Sequence, residues 1–131
     1  PSPCRREVAL NISGPQGNLP LLTINRSCPT CHHFPETELK ARVEEIQDRY
    51  FNLRNTALDA LMDLIRDTKD ARAKGALEVD IKQAQDYQRK GQFMIDFVMS
   101  ENSMGFHAPE ESVRILGHAI NLCRLGQIEL K

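Results

Sequence analysis

Residues 35–75 read PETELKARVEEIQDRYFNLRNTALDALMDLIRDTKDARAKG. Apolar side chains fall at Leu39, Val43, Ile46, Tyr50, Leu53, Ala57, Leu61 and Leu64, in steps of 4, 3, 4, 3, 4, 4 and 3. That spacing lays one narrow stripe along an α-helix. Pro35 suits a first helical position, where its missing N–H costs nothing, and Glu36 and Glu38 face the positive end of the helix. Gly75, following Lys69, Arg72 and Lys74, supplies the stop: cations sit near the last carbonyls, and the glycine is free to turn left-handed. At about 1.5 Å per residue such a helix is on the order of 55 Å long, more than a compact globule of this size can cover, and a stripe that narrow requires a partner helix.

Outward from this segment the pattern continues. A second helix is expected from Leu77 to Glu101, with Ile81, Ala84, Tyr87, Met94, Ile95 and Val98 on one side, able to fold back on the first. Asn102 to His107 breaks the period. Pro109-Glu110-Glu111 then opens a third helix bearing Val113, Leu116, Ile120 and Leu122 or Cys123, stopping near Gly126. No internal repeat and no strand-like alternation occurs. Towards the N-terminus, residues 1–27 hold four of the seven prolines and two of the seven glycines, the composition of an irregular arm. The expected fold is all-α: an arm over 1–34, then a long-helix bundle of about three helices over 35–131.

Composition limits the function classes. The 131 residues carry 17 Lys and Arg against 18 Asp and Glu, a net charge of −1, with the basic residues interleaved among acids. No basic face for nucleic acid is expected. Apolar runs are only a few residues long, too short for a membrane span. With 5% aromatic residues and no Trp, the core is expected to be aliphatic. Pro1-Ser2-Pro3-Cys4-Arg5-Arg6 does not begin with Met or show a signal peptide, and the chain reads as a piece of a longer protein.

The chemistry concentrates at Cys28-Pro29-Thr30-Cys31-His32. C-x-x-C-H is the attachment pattern for one c-type haem: two thiols add across the vinyl groups, and the next histidine reaches the iron as proximal ligand. A structural zinc could use Cys28, Cys31 and His32, but no second closely spaced ligand pair follows. A thioredoxin-like redox pair would need a βαβ context, which is absent. His33 reads as a solvent or propionate neighbour, Cys4 as an exposed thiol, Cys123 as a small core residue, and His118 as surface or packing. His107 lies in the break between helices, where a side chain is free to point into a cavity; locally, a ligand and a turn residue weigh equally.

Two stretches resemble a known family. Ile24-Asn25-Arg26-Ser27-Cys28-Pro29-Thr30-Cys31-His32, followed by Glu38-Leu39-Lys40-Ala41-Arg42-Val43 and Ile46-Gln47, is similar to the last haem motif and following long helix of the pentahaem, ammonia-forming cytochrome c nitrite reductases. Ser100-Glu101-Asn102-Ser103-Met104-Gly105-Phe106-His107-Ala108-Pro109-Glu110, with Ile115-Leu116-Gly117, is similar to their C-terminal segment. The resemblance spans residues 20–126. It implies that Cys28 and Cys31 hold the family's fifth haem with His32 as proximal ligand, and that His107 is the distal ligand of the neighbouring fourth haem. It implies a homodimer through the long helices, a periplasmic location, and electron exchange with a donor protein or an upstream haem-bearing portion. Nitrite is reduced in that family at a lysine-ligated haem beside an Arg, Tyr and His pocket upstream of this region, so no catalytic residue is expected here and this chain alone is expected to be inactive. The family's Asp-His…Ser-Pro-Leu-Leu stretch corresponds to Ser13-Gly14-Pro15-Gln16-Gly17-Asn18-Leu19-Pro20-Leu21-Leu22, which lacks the histidine.

The first reading is therefore a haem-binding, electron-transfer and dimerisation segment. Its rival is a non-catalytic helical dimerisation module without haem, with Cys28 and Cys31 free, disulfide-bonded or zinc-bound.

Overall fold

The structure, a computed structural model, describes residues 32–101 and 103–131. Three helices occur there: α1 over Glu36–Ala73, α2 over Glu78–Met99 and α3 over Pro109–Glu129. No strand is present among the described residues. The all-α expectation holds, and α1 is the long element, at 38 residues.

The ends of α1 follow the local chemistry. The Pro35 carbonyl accepts the amides of Glu38 at 3.0 Å and Leu39 at 3.1 Å, so proline stands just ahead of the first turn. At the far end the Ala76 amide reaches back to the Ala71 carbonyl at 3.0 Å and the Gly75 amide to the Arg72 carbonyl at 3.1 Å. With Gly75 at φ +81°, this is a Schellman stop, which satisfies carbonyls that the helix leaves unpaired. Leu77 opens α2 from extended backbone, φ −60° and ψ 136°, without a side-chain cap, and Glu78 and Asp80 occupy the first turn.

The chain divides into two compact units. One holds the described residues of 32–51 with Glu101–Pro109; the other holds Asn52–Ser100 and Glu110–Lys131. In the second unit α1 contributes buried Ala57, Ala60, Leu61, Leu64 and Thr68, α2 contributes Ile81, Ala84, Gly91, Ile95 and Val98, and α3 contributes Ser112, Leu116, Ala119, Leu122, Cys123 and Gly126. Small residues let these helices approach closely. A Cβ on Gly126 would stand 2.9 Å from both methyls of Leu64 and 3.2 Å from Tyr87 Cβ, and one on Gly91 would stand 3.1 Å from Cys123 Sγ. The Thr68 hydroxyl, though buried, donates to the Leu64 carbonyl at 2.7 Å.

The stripe of α1 is thus covered within the chain from Ala57 to Leu64, and over that length it does not by itself require a second copy. Two local expectations change. α3 runs past Gly126 to Glu129, because that glycine serves close packing and not a stop. Ser112 is buried while Val113 is half exposed, a rotation of the α3 face towards its small residues. On α2, Phe93 and Phe97 point outward with stacked rings 6.5 Å apart.

Candidate functional site

The first unit holds both described histidines named as ligands. α1 begins at Glu36, four residues after His32, and its opening turns expose one wall of a cleft of about 570 Å³ lined by His32, Phe34, Leu39, Arg42, Val43 and Phe106, with Glu38, Ala41 and Glu45 completing it. Its volume lies in the range of ordinary cofactor and ligand pockets. Periodicity explains the α1 wall: Leu39 and Val43 are one turn apart, so both face the same side, with Glu38, Arg42 and Glu45 beside them. Arg42 lies 3.5 Å from Glu45, which also pairs with Arg49, and all three side chains are well exposed, so these pairs contribute little to stability.

Across from α1, the turn between α2 and α3 is built around Glu101. Its carboxylate accepts the Ser103 hydroxyl at 2.6 Å, the Ser103 amide at 2.8 Å and the Gly105 amide at 3.3 Å. Partial burial pushes the Glu101 carboxyl up, but these donors and the nearby His107 together hold it below the ordinary carboxylate range. The Ser103 hydroxyl in turn accepts the His107 amide at 2.9 Å. Gln47, fully buried on α1, donates to the Ser103 carbonyl at 3.0 Å, and its own Oε1 has no partner among the described residues. Met104 at φ 57° and Gly105 at φ +82° close the turn. Gly105 sits on the Tyr50 ring: a Cβ there would come within 2.9 Å of Cδ2 and 3.0 Å of Cβ and Cγ. Gly105→Ala combines left-handed strain with a clash against a buried ring and is expected to cost about 2–3 kcal/mol. Amide hydrogen exchange across 103–107 should rise with it, and unchanged exchange would contradict this packing.

His107 itself is exposed, its Nδ1 3.7 Å from Glu101 Oε1 and its ring 6.1 Å from Phe106. The structure thus brings His32 and Phe106 to one cleft and places His107 beside Phe106. Cys28 and Cys31, with Cys4, lie outside the described residues. His33 and His118 are exposed. Cys123 is a free, fully buried thiol whose proton affinity burial pushes up, which makes it a packing residue and not a reactive one. Among the described residues no group of three or more His, Cys, Asp or Glu could hold a metal ion, and no helix is long and apolar enough to cross a membrane.

Sequence reasoning alone did not single out Glu101, Ser103 and Gln47 as the frame of this turn. The Glu-x-Ser-x-Gly-x-His spacing was the available signal, since acidic and hydroxyl side chains two to four residues before a turn amide commonly bond to it.

Residues 3–131 match the family described as Cytochrome c552. The chain belongs to the cytochrome c552 family. Over 129 residues, 98% of this chain and 26% of the relative, it is 33% identical to "Cytochrome c-552" of Maridesulfovibrio salexigens. It is 32% identical over 111 residues to that of Porphyromonas gingivalis, covering 85% of this chain and 22% of the relative. It is 33% identical over 119 residues to that of Bacteroides thetaiotaomicron, covering 91% and 24%. The chain therefore spans about a quarter of the length of these curated relatives. Membership of the cytochrome c552 family implies c-type haem binding. The residues present fit that group: an imidazole stands at a cleft walled by Phe34, Leu39, Val43 and Phe106, with Arg42 available to acidic side arms.

Proposed function

We infer that this chain is the haem-binding, electron-transfer and dimerisation segment of a multihaem cytochrome c nitrite reductase, the enzyme class that converts nitrite to ammonia. Cys28 and Cys31 would form the two thioethers, and His32 would be the proximal iron ligand. His107 would be a distal ligand of a neighbouring haem in the intact enzyme. When bound, the haem supplies one-electron transfer; the chain's part is to fix its ligation, exposure and orientation. The observation that carries this reading is C-x-x-C-H ending in His32, a histidine that lines an apolar, aromatic cleft.

In this reading the chain contains no catalytic residue. Nitrite would be reduced on sequence upstream, electrons would pass to or from that haem-bearing portion or a donor protein, and the long helices would pair with a second copy. Covalent haem attachment of this kind supports a periplasmic location. The test is an absorption spectrum of the full chain, produced with haem-attachment machinery, before and after dithionite. A Soret band with sharp bands on reduction is expected; a colourless protein would overturn the reading.

A further inference from the structure

The cleft beside His32 has an apolar wall and an uneven set of charges. Phe34, Leu39, Val43 and Phe106 supply the wall, Glu38 and Glu45 bring two carboxylates, and among the described lining residues Arg42 is the one fixed cation. Arg42 is only loosely engaged by its neighbours. Its guanidinium lies 3.5 Å from Glu45, at the outer limit of a hydrogen bond, and Glu45 is shared with Arg49, which does not line the cleft. The Arg42 and Glu45 side chains are 66% and 47% exposed, so exchanging this contact for another costs little.

A c-type haem brings to such a cleft an apolar ring and two propionate carboxylates. We propose that Arg42 is the carboxylate anchor of this cleft and takes a haem propionate. A guanidinium meets a carboxylate with two parallel N–H donors, which gives direction as well as charge. The same propionate set beside Glu38 or Glu45 without Arg42 would meet like charge, so the anchor also selects the orientation of the ring. A cation at the propionate disfavours the additional positive charge of the oxidised iron and so favours the reduced state. This assignment rests on the haem reading given under Proposed function.

The test uses the haem-bearing full chain at low ionic strength, where exposed charges are least screened. Two variants remove one positive charge each: Arg42→Gln inside the cleft and Arg49→Gln outside it, both partners of the same Glu45. Arg42→Gln is expected to lower the equilibrium constant for reduction several-fold and to shift the propionate bending bands in the resonance Raman spectrum, and Arg49→Gln to leave both as in the wild type. Arg42 is exposed, so its variant is expected to fold. Wild-type potential and propionate bands in Arg42→Gln would overturn the proposal, as would an equal shift in Arg49→Gln, which would mark a general surface-charge effect. A colourless chain would overturn the haem reading and this proposal with it; a haem-bearing chain indifferent to Arg42→Gln would overturn this proposal alone.

Discussion

Replacing Cys28 and Cys31 together with alanine should reduce the covalently bound haem from one per chain to none and leave the helices unchanged. In the proposed reading the thioethers form at those two sulfurs, whereas α1 starts at Glu36 and draws its start from Pro35, Glu36 and Glu38. Neither cysteine takes part in a described helix, so far-UV circular dichroism should be the same in both proteins. The expected result is an all-or-none loss of the haem absorption with the thermal transition of the bundle preserved. Retention of the wild-type haem stoichiometry would sink the assignment of Cys28 and Cys31. Loss of helix along with haem would show that the bundle depends on the cofactor.

Leu64→Ala should have the opposite signature. Leu64 is fully buried, and its two methyls fill the space that the missing Cβ of Gly126 leaves open, beside Tyr87. Truncation removes buried apolar surface and leaves a cavity that three close-packed helices cannot collapse readily. The cost should be about 3 kcal/mol, equivalent to a fall in Tm on the order of 10 °C. Covalent haem should persist, because the attachment residues proposed above precede α1. A loss below about 1 kcal/mol would mean that α1, α2 and α3 do not meet closely at this layer.

The fold was largely legible because α1 announces itself at both ends and along its face. Proline followed by acids, a sustained alternation of three and four, and a glycine after basic residues all agree. What sequence alone missed depended on packing partners. Gly126 reads locally as a helix stop, since glycine inside a helix costs about 1 kcal/mol relative to alanine; only the position of Leu64 shows why the helix continues through it. Gln47 reads as a polar position beside the stripe, yet it is buried because the turn at Ser103 offers it a carbonyl. Val113 leaves its expected place on the α3 face and Ser112 is buried instead, because small residues, more than large ones, face the other helices.

The chemistry proposed for the site comes from the sequence, and its frame does not. Cys28, Cys31 and His32 are proposed from their spacing, and the family membership implies c-type haem binding. His107 stood out by its place in a helix break and by resemblance. The carboxylate beside it did not, because the turn depends on a left-handed backbone at Met104, a residue with no intrinsic preference for it. Glu101 becomes informative once the turn has closed.

The most direct test of the central claim is the mass of the proteolytic peptide containing Cys28, Cys31 and His32, taken from the denatured chain made alongside haem-attachment machinery. Covalent attachment predicts that this peptide carries one haem that survives denaturation and acid extraction. The bare peptide mass, with both thiols free, disulfide-bonded or released from zinc, would contradict it.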